Sequence, residues 1–138
     1  MINKYILLIG FFYCLFLSSF AQDYTPVSLG QKIPESILKK LPKKSTTKII
    51  ILDFWSTYCA SCIASFTKME ELQREFDDEL KIVLINSRDN SEQIKNRFDK
   101  LNKEREPGKR IHMPKTLDAI NGDKKFKLLF PHLVVPHH

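Results

Sequence analysis

The sequence predicts an α/β domain, a central parallel sheet with flanking helices, and three observations carry that prediction. Residues 48–55 and 80–86 are continuous apolar runs rich in β-branched side chains, the pattern of strands covered on both faces. Each run is followed by a stretch whose apolar residues recur every three or four positions, the period of an amphipathic helix. No repeat or low-complexity segment interrupts the alternation, and strand, helix, strand, helix in that order implies a right-handed βαβ unit. A chain of 138 residues that is 43% hydrophobic and 28% charged has room for one modest core. That balance excludes a multidomain enzyme, a disordered tail and a collagenous chain.

Residues 1–21 read as a secretory signal peptide. A short basic start ending at Lys4 precedes an uncharged apolar run, and Ser19 and Ala21 put small residues at the −3 and −1 positions of a cleavage site near Ala21. The alternative is an uncleaved anchor over residues 5–20, although that stretch is shorter than the ~20 residues of a spanning helix. Cys14 follows the bulky Phe12 and Tyr13, unlike a lipid-attachment site. Either way the remainder is exported, and an extracytoplasmic, periplasmic location is expected. Residues 22–46 contain Pro26, Pro34 and Pro42 among lysines and serines and read as an N-terminal arm. Residues 47–138 form the folded domain.

Within that domain the first strand hands over to a helix of about four turns striped by Ile63, Phe66, Met69, Leu72 and Phe76. After the second strand, Ser91 is the expected N-cap and Glu92 suits the first turn, where the helix dipole favours an anion. Ile94, Phe98 and Leu101 then mark one helical face that ends before Pro107 and Gly108. Beyond Pro114 the pattern weakens. Asp123 is placed to cap a short helix carrying Phe126, Leu129 and Phe130, and residues 133–136 read as the approach to a further strand.

The formal net charge is +6. Its basic residues are scattered, at Lys39, Lys40, Lys43, Lys44 and Lys48 and again at Lys124, Lys125 and Lys127, with no aromatic residues interleaved to stack bases. A solvated face is the expectation, and no nucleic-acid partner is implied.

The cysteines are more telling. Beyond the leader there are two, Cys59 and Cys62. A disulfide that staples an exported domain closes a long loop, whereas a pair this close constrains almost nothing. The pair is therefore there for chemistry or for metal. It lies where a buried strand meets a helix, so unpaired N–H groups and the positive end of the dipole favour thiolate over thiol. Cys59 is expected to be the exposed nucleophile, and Cys62, one turn further in, the sulfur that resolves the mixed disulfide.

Leu52-Asp53-Phe54-Trp55-Ser56-Thr57-Tyr58-Cys59-Ala60-Ser61-Cys62 resembles the active-site segment of thioredoxins, and most closely the exported TlpA/ResA-like thiol-disulfide oxidoreductases. The likeness runs from Ile49 to Asn86 and more loosely to the end of the chain. It implies a thioredoxin-like fold and makes Asp53 a buried carboxylate that exchanges a proton with the inner thiol. Desolvation would raise the pKa of such a group, which suits it to that work. Trp55 and Tyr58 would wall the site. Val135 and Pro136 would supply the cis-proline segment that binds the substrate backbone, with Pro131 the weaker candidate. The implied partners are protein disulfides and a membrane thiol-electron donor, the implied state is a monomer, and no cofactor is needed because the redox equivalents reside on Cys59 and Cys62.

Three features depart from that pattern. Ala60-Ser61 lies between the cysteines, with no histidine to add positive charge, so a reducing or middling potential is expected. Thr67 stands where thioredoxins often carry a kinking proline, which predicts a straight helix. The sequence ends just after Pro136, where the family continues with further strands and a helix, so it reads as a C-terminally incomplete member. Its first strand would then present an open apolar edge.

Two rival readings use the same residues. The cysteines, with His132 and His137 at H-x4-H spacing, supply half or more of a zinc or copper site. Alternatively, the chain is a noncatalytic remnant. A peroxidase fits poorly, because no proline precedes Thr57 in this segment and Cys62 is too close to Cys59. His112 and His138 are expected at the surface.

Overall fold

The structure is a computed structural model that describes residues 25–42, 47–76 and 79–137. The leader and the two readings attached to it lie outside these residues, as does His138. The elements run in the order α1 (Glu35–Leu38), β1 (Ile49–Phe54), α2 (Ala60–Glu75), β2 (Leu80–Asn86), α3 (Ser91–Asn102), a single 3-10 turn (Pro107–Lys109), β3 (Asp118–Asn121) and α4 (Lys124–Leu129). The three strands form one parallel sheet in the order β1-β2-β3. The predicted α/β class is therefore what the chain adopts.

β2 is the centre of the molecule because nearly every residue in it is apolar and buried. Strand alternation sends its side chains to opposite faces. Leu80, Ile82 and Leu84 join Trp55, Cys59, Cys62, Phe66, Ile94 and Phe98 in one core, beneath α2 and α3. Val83 and Ile85 join Phe54, Phe126, Leu129, Ile37 and Leu41 in a second core on the other face. A continuous apolar run thus serves two cores at once, which is why it lacks a visible period.

α2 runs unbroken through Thr67, as predicted. Gln73, buried near its end, donates from Nε2 to Leu80 O and accepts from Ile82 N on Oε1, both at 2.8 Å. These bonds satisfy strand groups that would otherwise be buried without partners, and they fix the helix against β2.

Several expectations need correction. The cap of α3 is Asn90, whose side chain accepts from Gln93 N while Gln93 reaches back to Asn90 N; Ser91 is the first helical residue. Residues 25–42 are more than an arm. Pro34 opens α1, Ile37 is fully buried, Leu41 nearly so, and Val27 N donates to Leu129 O. β3 escapes the sequence reading because Asp-Ala-Ile-Asn is too short and too polar to show a strand pattern. β1, by contrast, lies at an edge of the described sheet with Ile49 and Ile50 exposed, the open apolar edge that was expected. Its inner end pairs with the C-terminal segment through an antiparallel bridge, Phe54 to His137.

Candidate active site

The site forms where β1 ends. Trp55 N donates to Ile85 O at 3.0 Å, which holds the chain on the sheet for one more residue, and Cys59 N donates to Ser56 O at 3.1 Å to close a turn. Cys59 then caps α2. Its backbone is extended and its Sγ accepts from Cys62 N at 3.2 Å. Ser61 Oγ lies 3.4 Å from the same sulfur. Cys59 and Cys62 are joined as a disulfide with their Cα atoms 5.3 Å apart. The cysteines differ in access: Cys59 is 9% exposed and Cys62 0%. Cys59 is the outer of the two, as expected, but it is largely buried rather than exposed, because its side chain packs into the core with Trp55 and Phe66. In the dithiol state the same N–H and the helix N-terminus would favour a thiolate at Cys59.

The remaining predicted residues surround this pair in different ways. Asp53 is 1% exposed. It pairs in register with Leu84, and alternation along β1 puts it on the face shared by Ile51 and Cys62. A carboxylate has thus been placed inside the apolar layer that carries the inner sulfur. Trp55 is buried and packs edge-on against Phe66 at 5.1 Å, with Phe98 at 6.2 Å. It packs in one core with both cysteines. Tyr58, next to Cys59 in the chain, is 64% exposed. The Val135–Pro136 bond is cis. Val135 touches both cores, and Phe54 and His137 exchange backbone hydrogen bonds of 2.8 and 3.3 Å, so this segment lies against the strand end leading to Cys59.

Sequence reasoning passed over a polar frame beside the disulfide. Asn86, buried at the end of β2, accepts from Arg88 N and Asp89 N on Oδ1 and so shapes the loop into α3. Asp89 Oδ2 in turn accepts from Thr57 Oγ1 at 3.0 Å and Asn86 Nδ2 at 3.3 Å, which ties that loop to the turn before Cys59. The loop and α3 bring Arg88 and Arg97 to within 5.3 and 4.6 Å of the Tyr58 ring centroid. The only sequence signal was the polar run 86–90 after an apolar strand, which marks a loop but not what it meets.

His132 and His137, the ligands of the rival metal reading, do come together. Their rings stack at 5.4 Å and both face Phe54, at 4.7 and 6.0 Å. His132 Nδ1 is engaged with Phe130 O at 2.8 Å. Among the described residues, no group of three or more His, Cys, Asp or Glu side chains is arranged to hold a metal ion. Nor is any helix among them long and apolar enough to cross a membrane.

Comparison with known proteins agrees with this architecture. The chain is 29% identical over 87 residues to the thioredoxin-like protein YneN of Bacillus subtilis (strain 168), a match covering 59% of this chain and 51% of that protein. The chain therefore spans about half the length of that relative. No solved structure gives a significant match. A thioredoxin-like family model covers residues 47–135, from before β1 to the cis bond. With a parallel sheet, a strand-to-helix cysteine pair and that match over most of its length, the chain belongs to the thioredoxin-like family.

Proposed function

We propose that this chain is an exported thiol-disulfide oxidoreductase of the TlpA/ResA-like type, which reduces protein disulfides through Cys59 and Cys62. The observation that carries the reading is the asymmetry of the pair. Cys59, 9% exposed, caps the helix N-terminus and accepts an N–H on its sulfur, whereas Cys62, one turn inward, is fully buried.

That asymmetry orders the chemistry. Starting from the dithiol, the Cys59 thiolate attacks one sulfur of a substrate disulfide; a Cys59–substrate bond forms and the other substrate sulfur leaves as thiolate. Cys62 gives up its proton and attacks Cys59 Sγ, which closes the Cys59–Cys62 disulfide and releases the second substrate thiolate. Two electrons pass from the protein to the substrate, and an external dithiol restores the starting state. Asp53, on the Cys62 face of β1, is the group assigned to take the Cys62 proton. Val135 and Pro136 are assigned to hold substrate backbone. In the cell the restoring dithiol would belong to a membrane electron donor, with the protein a periplasmic monomer after loss of residues 1–21.

A redox titration tests the reading. The chain is equilibrated in graded thiol/disulfide mixtures in metal-free buffer, trapped with a maleimide and its labelled cysteines counted by intact mass. The expected result is a cooperative two-thiol transition at Cys59 and Cys62 that shifts when the chain is denatured beforehand. A response identical in native and denatured chain would refute it. The mass found in an extracytoplasmic fraction, with or without residues 1–21, tests export.

A further inference from the structure

Beside the disulfide, on the side of α3, lies a cleft of about 440 Å³. Tyr58, Ala60 and Ile63 contribute from the α2 side, and Arg97, Leu101 and Arg105 from the α3 side. Arg97 and Leu101 are four residues apart on one face of α3, and Arg105 follows in the turn just past its end. The floor is apolar and the rim is basic. Arg88 adds a further guanidinium, since both it and Arg97 approach the Tyr58 ring.

The charge here is uncompensated. Among the described residues none of Arg88, Arg97 and Arg105 forms an ion pair, whereas the lysines at 40, 48, 81, 95 and 109 each do. Arg97 Nε is buried without a hydrogen-bond partner. Asp89, next to Arg88, directs its Oδ2 to Thr57 and Asn86 instead. Bringing two guanidinium groups to one aromatic ring is unfavourable by Coulomb's law, and contact with the ring at an exposed site offsets that only in part. A carboxylate is the group that neutralises such a rim, with the bidentate geometry guanidinium prefers.

Resting on the oxidoreductase reading, we propose that this cleft docks an acidic peptide segment next to the substrate cysteine, with Arg88 and Arg97 as its specificity-determining residues. Tyr58 is the hinge of the arrangement: it immediately precedes Cys59, so a segment seated against it brings the neighbouring disulfide to the attacking sulfur. The thiol exchange itself is unchanged; what the cleft selects is which disulfides arrive.

The test uses the full chain, pre-reduced, and three disulfide-cyclised peptides identical except that the positions flanking one cysteine are all Glu, all Gln or all Lys. Neutral hydroxyethyl disulfide serves as the reference substrate. At low salt the Glu peptide should be reduced with a kcat/KM about tenfold above that of the Lys peptide, the low end of electrostatic steering. The ratio should shrink toward one at 1 M salt, where the screening length is only about 3 Å. Arg88→Gln/Arg97→Gln should bring it near one at low salt, and Arg88→Lys/Arg97→Lys should retain most of it. Lys124→Gln/Lys127→Gln removes equal charge from α4, which packs against the opposite core, and should leave the ratio intact.

Equal rates for the Glu and Lys peptides, with hydroxyethyl disulfide still reduced, would overturn the docking site and leave the oxidoreductase reading standing. So would a preference that survives Arg88→Gln/Arg97→Gln, or one that falls as far in the α4 variant. If the glutamine pair fails to fold, the salt dependence of the unaltered chain and the lysine pair still decide. Failure to reduce hydroxyethyl disulfide at all would remove the oxidoreductase reading, and this one with it.

Discussion

The two sulfurs occupy different environments, so their substitution should have different consequences. Cys59→Ser removes the more accessible of the two sulfur-bearing residues, the assigned nucleophile, and should abolish exchange. Cys62→Ser leaves that nucleophile and removes the resolving sulfur, so mixed disulfides should accumulate and be visible by intact mass under non-reducing conditions. Were both variants equally inert, with no trapped species, the order of attack would be wrong. Asp53 makes a separate prediction. Asp53→Asn keeps the size of a side chain buried at 1% exposure but removes its ability to take a proton. Resolution of the mixed disulfide should slow near neutral pH while the circular dichroism spectrum is unchanged. An unaltered rate would remove Asp53 from the mechanism.

At the scale of elements, α2 is fixed at its C-terminal turn and along its length by polar contacts that sit outside the redox chemistry. Gln73 ties its C-terminal turn to β2. In its middle, Glu70 Oε1 accepts from Thr116 Oγ1 at 2.9 Å, Lys115 N at 3.1 Å and Thr116 N at 3.3 Å, which anchors the segment entering β3. The Thr116 hydroxyl above all holds the Glu70 carboxyl below its ordinary value; burial pushes the other way, and the two N–H groups and Arg74 add to the lowering. A carboxylate whose folded pKa is depressed stabilises the native state fully above its unfolded pKa, and that stabilisation is lost as pH falls through the folded value. Glu70→Gln should therefore lower the urea midpoint at pH 7, and the gap between the two chains should close in acid below the ordinary carboxylate range. A gap that persists unchanged at low pH would mean the charge is not what matters.

For the molecule as a whole, the two cores share β2 and should fail together. Ile37 lies in a segment that reads from sequence as a mere arm, yet it is fully buried against Phe54, Val83 and Phe126. Ile37→Ala should cost roughly 2–5 kcal/mol, the range for deleting buried aliphatic volume. The cost should appear as a lower urea midpoint for the whole domain with an unchanged m-value, including the signal of Trp55 in the other core. A loss confined to residues 25–42, with Trp55 unaffected, would show that the segment is an appendage after all.

The sequence by itself determined the elements whose signals are local. The two apolar runs became β1 and β2, the stripe from Ile63 to Phe76 became α2, and the strand-to-helix junction fixed which cysteine faces outward. Asp123 as the cap of the last helix was legible for the same reason, since its side chain accepts from Lys125 N two residues away. Tertiary structure alone decided what depends on residues far apart in the chain. It turned the arm into a wall of the second core, buried Trp55 against Phe66 and Phe98, and built β3 from four residues with no strand pattern of their own. It also brought Arg88 and Arg97 to Tyr58, across 30 and 39 positions of sequence. Periodicity records which way a residue faces within its own element. It holds no record of which element will lie opposite, because that is set by how the faces of one sheet are shared between two cores.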